Sequence, residues 1–143
     1  MEDILVSKKI EIRYFTRSGN TEKLAKAIGE ELSIESKDIS YKLENDVDIL
    51  FLGSSVYAAG VDDRIKKFIN DIDVKVGEVI NFSTAALLPS TYKQVKKLLE
   101  NKNIKISDRE FHCKGSFGIM HKGRPNKSDI ENLKKFVREI INK

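Results

Sequence analysis

The run Tyr14-Phe15-Thr16-Arg17-Ser18-Gly19-Asn20-Thr21 gathers hydroxyl and amide groups around one glycine, between an apolar stretch and the start of a helical pattern. Small side chains let several backbone N–H groups converge on one anion, and the N-terminus of the following helix favours negative charge there. The chemistry is phosphate recognition. The residue types narrow the kind of phosphate. Gly19-Asn20-Thr21 has no lysine for the β- and γ-phosphates of a nucleoside triphosphate, and the dinucleotide fingerprint needs three glycines where only Gly19 stands. The hydroxyls of Thr16, Ser18 and Thr21, with the Asn20 amide, suit one terminal phosphate monoester. Arg17 either neutralises its charge or points to solvent.

The elements that must position this run follow from periodicity. Residues 10–16 read as a strand and 21–32 as a helix, with Leu24, Ile28 and Leu32 on one stripe. Residues 34–40 form a weaker, partly polar strand suited to an edge. Residues 49–52 are apolar on both faces, as a central parallel strand requires. Asp62 caps a short helix with Ile65, Phe68, Ile69 and Ile72 facing inward. Residues 79–82 make a fourth strand, 90–101 a helix, and 104–113 a fifth, irregular strand region. The last helix opens with Ser128-x-x-Glu131 as a capping box and is expected to bury Ile130, Leu133, Val137, Ile140 and Ile141. Strands alternating with helices predict an α/β fold, a doubly wound five-stranded parallel sheet of order 2-1-3-4-5.

One connection is too short for its usual helix. Between strands two and three the chain must descend roughly 20 Å, and residues 41–48 cover about 26 Å extended but only about 12 Å as a helix. The helix between strands 2 and 3 is therefore expected to be reduced or absent. That accounts for Glu11 and Arg13, which point to one face of an otherwise apolar strand: with no helix over them, they are expected to reach water. The thinly covered face is also a weaker candidate for docking a partner or second subunit.

The spacing Tyr14, Thr16, Gly19, Thr21, Ala25, Ile28 resembles the first loop of the flavodoxin family in every position, Arg13 being the departure. The resemblance implies a flavodoxin-like fold and noncovalent FMN, with Thr16, Arg17, Ser18, Gly19, Asn20 and Thr21 around the phosphate. Gly53-Ser54-Ser55-Val56-Tyr57-Ala58-Ala59-Gly60 resembles the family's ring-holding loop. It implies flavin contacts from Ser55, Val56, Tyr57, Ala58 and Gly60, with Tyr57 stacking on the ring. In the third loop the backbones of Thr84, Ala85 and Ala86 are expected at the pyrimidine edge, without the second aromatic of the short electron carriers. The function implied is electron transfer through FMN, which makes the chain an electron carrier before a catalyst. An NAD(P)H-dependent flavin or quinone reductase is the alternative, and a module that has lost flavin is the second.

Composition sets the remaining bounds. At 143 residues, 1–143 is expected to form one domain with a core that needs no metal or disulfide. The formal charge is +4, but Lys66-Lys67, Lys96-Lys97 and Lys134-Lys135 sit beside apolar helix positions, a solvated outer face. Without an aromatic-interleaved basic stripe, nucleic acid is not an expected partner. Redox proteins of acidic surface are. Cys113 is the one cysteine, and Ile119 stands where a cysteine phosphatase needs its arginine. His112 and His121 have no second ligand at metal spacing. The short acidic N-terminus and the lack of a membrane-length apolar run point to a soluble cytoplasmic protein.

Overall fold

The computed structural model describes residues 8–56, 61–85, 90–115 and 123–142. The elements are β1 (Ile10–Tyr14), α1 (Asn20–Leu32), β2 (Lys37–Asp38), β3 (Val47–Val56), α2 (Asp63–Asn70), β4 (Val76–Ala85), α3 (Tyr92–Glu100), β5 (Phe111–Lys114) and α4 (Lys127–Ile141). The sheet has the predicted order β2-β1-β3-β4-β5, with every pairing parallel. Successive side chains of a strand point to opposite faces, so each central strand feeds two cores. Ile12, Phe51, Ile80 and Phe82 pack with Leu24 and Ile28 of α1 and Leu133 and Val137 of α4. Leu50, Leu52 and Val79 pack with Ile65 and Phe68 of α2 and Val95 and Leu99 of α3.

The helix ends follow local chemistry. The Asp62 side chain accepts from the Arg64 backbone N–H and caps α2, as expected. The capping box of α4 lies two residues upstream of the predicted one: Asn126 accepts from Asp129 N, and Asp129 accepts from Asn126 N. Arg124 decides this, because it binds both carboxylate oxygens of Asp129 at 2.6 and 2.8 Å and fixes that carboxylate at the helix start. Burial alone would raise the Asp129 carboxyl, but the Arg124 guanidinium and the Asn126 N–H hold it below the usual range.

No helix joins β2 to β3, and β2 is only two residues long. Leu43 of the extended crossover turns into the second core and is buried there. One expectation for this face is corrected. Arg13 does not reach water: it is 3 % exposed. Its guanidinium donates to the carbonyl oxygens of Tyr41 (2.6 Å), Lys42 (3.4 Å) and Ile12 (3.1 Å) and to the Glu11 carboxylate (2.7 Å). A helix would have bonded the crossover carbonyls internally; an extended segment leaves them open, and Arg13 satisfies them. Glu11 remains partly exposed. The lysine pairs 66–67 and 96–97 are exposed as expected, while Lys134 is partly covered and reaches Glu30 at 3.1 Å.

Candidate functional site

β1 ends at Tyr14 and α1 begins at Asn20, so residues 15–19 form a tight loop at the carboxyl edge of the sheet. Gly19 closes it at φ +92, a left-handed conformation that side chains other than glycine adopt at a cost. Its N–H donates to Thr16 Oγ1 at 2.8 Å, and its carbonyl accepts the first bond of α1 from Lys23 N. The predicted donors then divide. Thr21 is fully buried, its hydroxyl 3.1 Å from that of Thr84 and 3.3 Å from the Ser54 carbonyl oxygen. Asn20 is also buried; a Cβ placed on Gly115 would meet its amide nitrogen at 2.9 Å and the Thr84 Cβ at 3.0 Å. These side chains tie the loop to the ends of β4 and β5. Thr16 is half-buried, and Ser18 and Arg17 are exposed.

Arg17 turns to Asp62, with Nη2 to Oδ2 at 2.7 Å. The pair links the loop after β1 to the cap of α2. Burial pushes the Asp62 carboxyl up, but the Arg64 N–H and the Arg17 guanidinium prevail and keep it below the usual range.

β3 and β4 bring their ends alongside, with Ser55 opposite Thr84 and Val56 opposite Ala85. The strand alternation places Ser55 and Thr84 on the face that carries α1. Among the described residues the buried Ser55 hydroxyl has no hydrogen-bond partner, and it lies beside the Thr21–Thr84 pair. On the opposite face Thr91 Oγ1 accepts from Ser54 Oγ (3.0 Å) and Asn81 Nδ2 (3.1 Å), and Thr91 N donates to Ser83 Oγ (3.4 Å). This polar knot anchors the start of α3; no local spacing signals it, because its members lie up to 37 residues apart. Tyr57, Ala58, Gly60 and Ala86 lie outside the described residues, as does His121.

Cys113 is half-buried on β5, opposite Thr84. Burial, helped by the Asp129 charge and opposed by Arg124, pushes its thiol up to about 12. A thiol so protonated is a poor nucleophile. Labelling with a disulfide reagent at pH 8 is therefore expected to be far slower than for an unfolded control, and to accelerate as pH approaches 12. Fast labelling at pH 8 would refute this. His112 is exposed and stands 3.2 Å from Glu110. Among the described residues no group of three His, Cys, Asp or Glu could hold a metal, and no helix is long and apolar enough to cross a membrane.

Taken together, the loop and strand ends can hold an anion by backbone N–H groups and place a chain of hydroxyls beside it, at the point where strand order reverses between β1 and β3. The chain is similar to known proteins in keeping with this. It is 32 % identical over 137 residues to an uncharacterised protein of Methanocaldococcus jannaschii, covering 85 % of this chain and 90 % of that one. Its fold is similar to that of a flavodoxin from the domain Archaea, with a TM-score of 0.74 at 15 % identity, covering 94 % and 96 % of the two chains. Flavodoxin 1 of Bacillus cereus gives 0.73 at 19 % identity, covering 94 % and 98 %. The rubredoxin oxygen:oxidoreductase of Desulfovibrio gigas gives 0.65 at 15 %, covering 94 % of this chain and 35 % of that one. Residues 11–121 match the flavodoxin domain, and the chain belongs to the flavodoxin family.

Proposed function

We propose that the chain binds one FMN noncovalently and carries electrons between proteins. The observation that carries this reading is the cradle at residues 16–21 lying beside the buried Ser55 hydroxyl, which has no partner among the described residues. The backbone N–H groups of the loop and the Thr16 and Ser18 hydroxyls would hold the phosphate. Thr21, Thr84 and Ser55 would line the polyol. Residues 55–60 and 84–86 would hold the ring. Bound flavin supplies reversible uptake of electrons; the protein binds it, excludes water from one side and sets which partners approach. The net charge of +4 favours acidic redox partners by steering, so the transfer rate to such a partner falls as salt is raised. Arg17, engaged with Asp62, acts here as a link between two cofactor loops.

The test is a titration followed by absorbance and by quenching of flavin fluorescence. One FMN is expected to bind per chain, and riboflavin more weakly for lack of the phosphate. Thr21→Val is expected to weaken FMN about tenfold or more, because it breaks the hydroxyl pair with Thr84 and loosens the helix start beneath the phosphate. The absence of saturable flavin binding would overturn the reading.

A further inference from the structure

One sizeable cavity formed by the described residues lies away from this loop's cradle. A groove of about 690 Å³ runs along β1 and β2 beside α2, on the face the missing crossover helix leaves open, and meets the phosphate loop through Phe15 and Thr16. Its volume lies within the range of roughly 300–1,000 Å³ usual for small-molecule sites. Phe15, Leu43, Phe68 and Ile72 give it an apolar lining.

Two charged groups at its upper end say what it accepts. Asp38 stands at the carboxyl end of β2, opposite Tyr14 of β1, and Ser40 N fixes its Oδ1 at 2.7 Å. In nucleotide-binding parallel sheets a carboxylate at this place, about 20 residues beyond the glycine loop, takes the ribose hydroxyls. Arg64 lies 5.1 Å from the centre of the Phe15 ring, and among the described residues it has no carboxylate at ion-pair distance. The other two cations of the groove are matched: Lys67 with Asp71 at 2.5 Å and Lys42 with Asp73 at 3.5 Å. A purely apolar ligand would use neither Asp38 nor Arg64, and a simple anion would meet Asp38 and Glu22.

We propose that this groove binds a ribonucleoside 5′-phosphate, with its base on the apolar lining beside Phe15 and Phe68, its ribose diol on Asp38 and its phosphate on Arg64. The site adjoins the proposed flavin site at Thr16, engages its ligand through other residues, and does not rest on the FMN reading.

The probe is AMP, titrated by calorimetry and by amide chemical shifts into the full chain, with and without saturating FMN. Saturable one-to-one binding is expected in both, with shifts confined to residues 14–16, 38–43 and 64–72. 2′-Deoxy-AMP and adenosine are each expected to bind about tenfold more weakly. Asp38→Asn should abolish the preference for AMP over its deoxy form, and Arg64→Met the preference for AMP over adenosine. Ser40→Trp, at an exposed position, should fill the groove and block AMP while leaving FMN binding intact. No saturable binding at millimolar AMP, competition between AMP and FMN, or AMP binding unchanged in Ser40→Trp would overturn the proposal. If the chain takes up no flavin, the titration without FMN still decides it.

Discussion

Arg13→Ala is expected to lower folding stability by about 3 kcal/mol and to open residues 39–46 before the rest of the chain. The cause is the replacement of a helix by one guanidinium. Three backbone carbonyls and a carboxylate share Arg13, and the Tyr41 and Lys42 carbonyls belong to a segment with no helix of its own. Removing the side chain leaves a cavity under the crossover and strips these acceptors of their donor, each at a cost of about 1 kcal/mol or more unless water enters. Arg13→Lys should recover little, because an ammonium cannot fork between two carbonyls and a carboxylate in one plane. Glu11→Gln should cost under about 1 kcal/mol, since that carboxylate is 41 % exposed and water can replace it. Urea unfolding of the three variants measures the totals, and amide exchange at residues 39–46 measures the local opening. A loss below about 1 kcal/mol in Arg13→Ala, with unchanged exchange, would show that the crossover holds itself in place.

That case marks the boundary of what the sequence discloses. The short crossover is legible, because chain length and helix rise are fixed quantities and residues 41–48 are too few. The fate of Arg13 is not, because its acceptors are carbonyls 28 and 29 residues away and hydropathy counts a charged side chain as solvent-facing. The sheet order is legible from alternating elements and the apolar run 49–52, yet β4 runs well beyond residues 79–82 in both directions. Ser83 and Thr84 read as loop; buried partners such as Thr91 and Thr21 let them continue the strand. Two capping patterns overlap at the last helix, and only Arg124 distinguishes them. The same division holds at the site. Gly19 and Thr21 stand out by type and spacing, whereas the Thr21–Thr84 pair and the Arg17–Asp62 link join residues 63 and 45 positions apart.

A second large effect is expected at Gly53, where the second core strand passes beneath an aromatic ring. Gly53 lies opposite Phe82 on β4, and a Cβ added to it would stand 2.3 Å from both Cε2 and Cζ of that ring. Phe82 is wholly buried in the core beneath α1 and α4, so its ring has no open space to enter. Gly53→Ala should therefore cost about 3 kcal/mol, at the upper end of ordinary overpacking, although alanine is no worse than glycine in an exposed strand. Phe82→Leu alone should cost about 1–2 kcal/mol through lost burial and a small cavity. The double variant tests the mechanism: without the aromatic ring, the space the new methyl needs is free, so the combined loss should fall short of the sum by about 1 kcal/mol or more. Strict additivity would place the cost of Gly53→Ala in the backbone instead of the ring. The strain matters to the proposed flavin site because Ser54 and Ser55 follow Gly53 directly, and Thr84 follows Phe82 by two residues on the same face. A ring forced aside at this level would shift the strand ends that hold the Thr21–Thr84 pair. Gly53→Ala is accordingly expected to weaken FMN binding under conditions where the chain remains folded, and the added Phe82→Leu change to restore it.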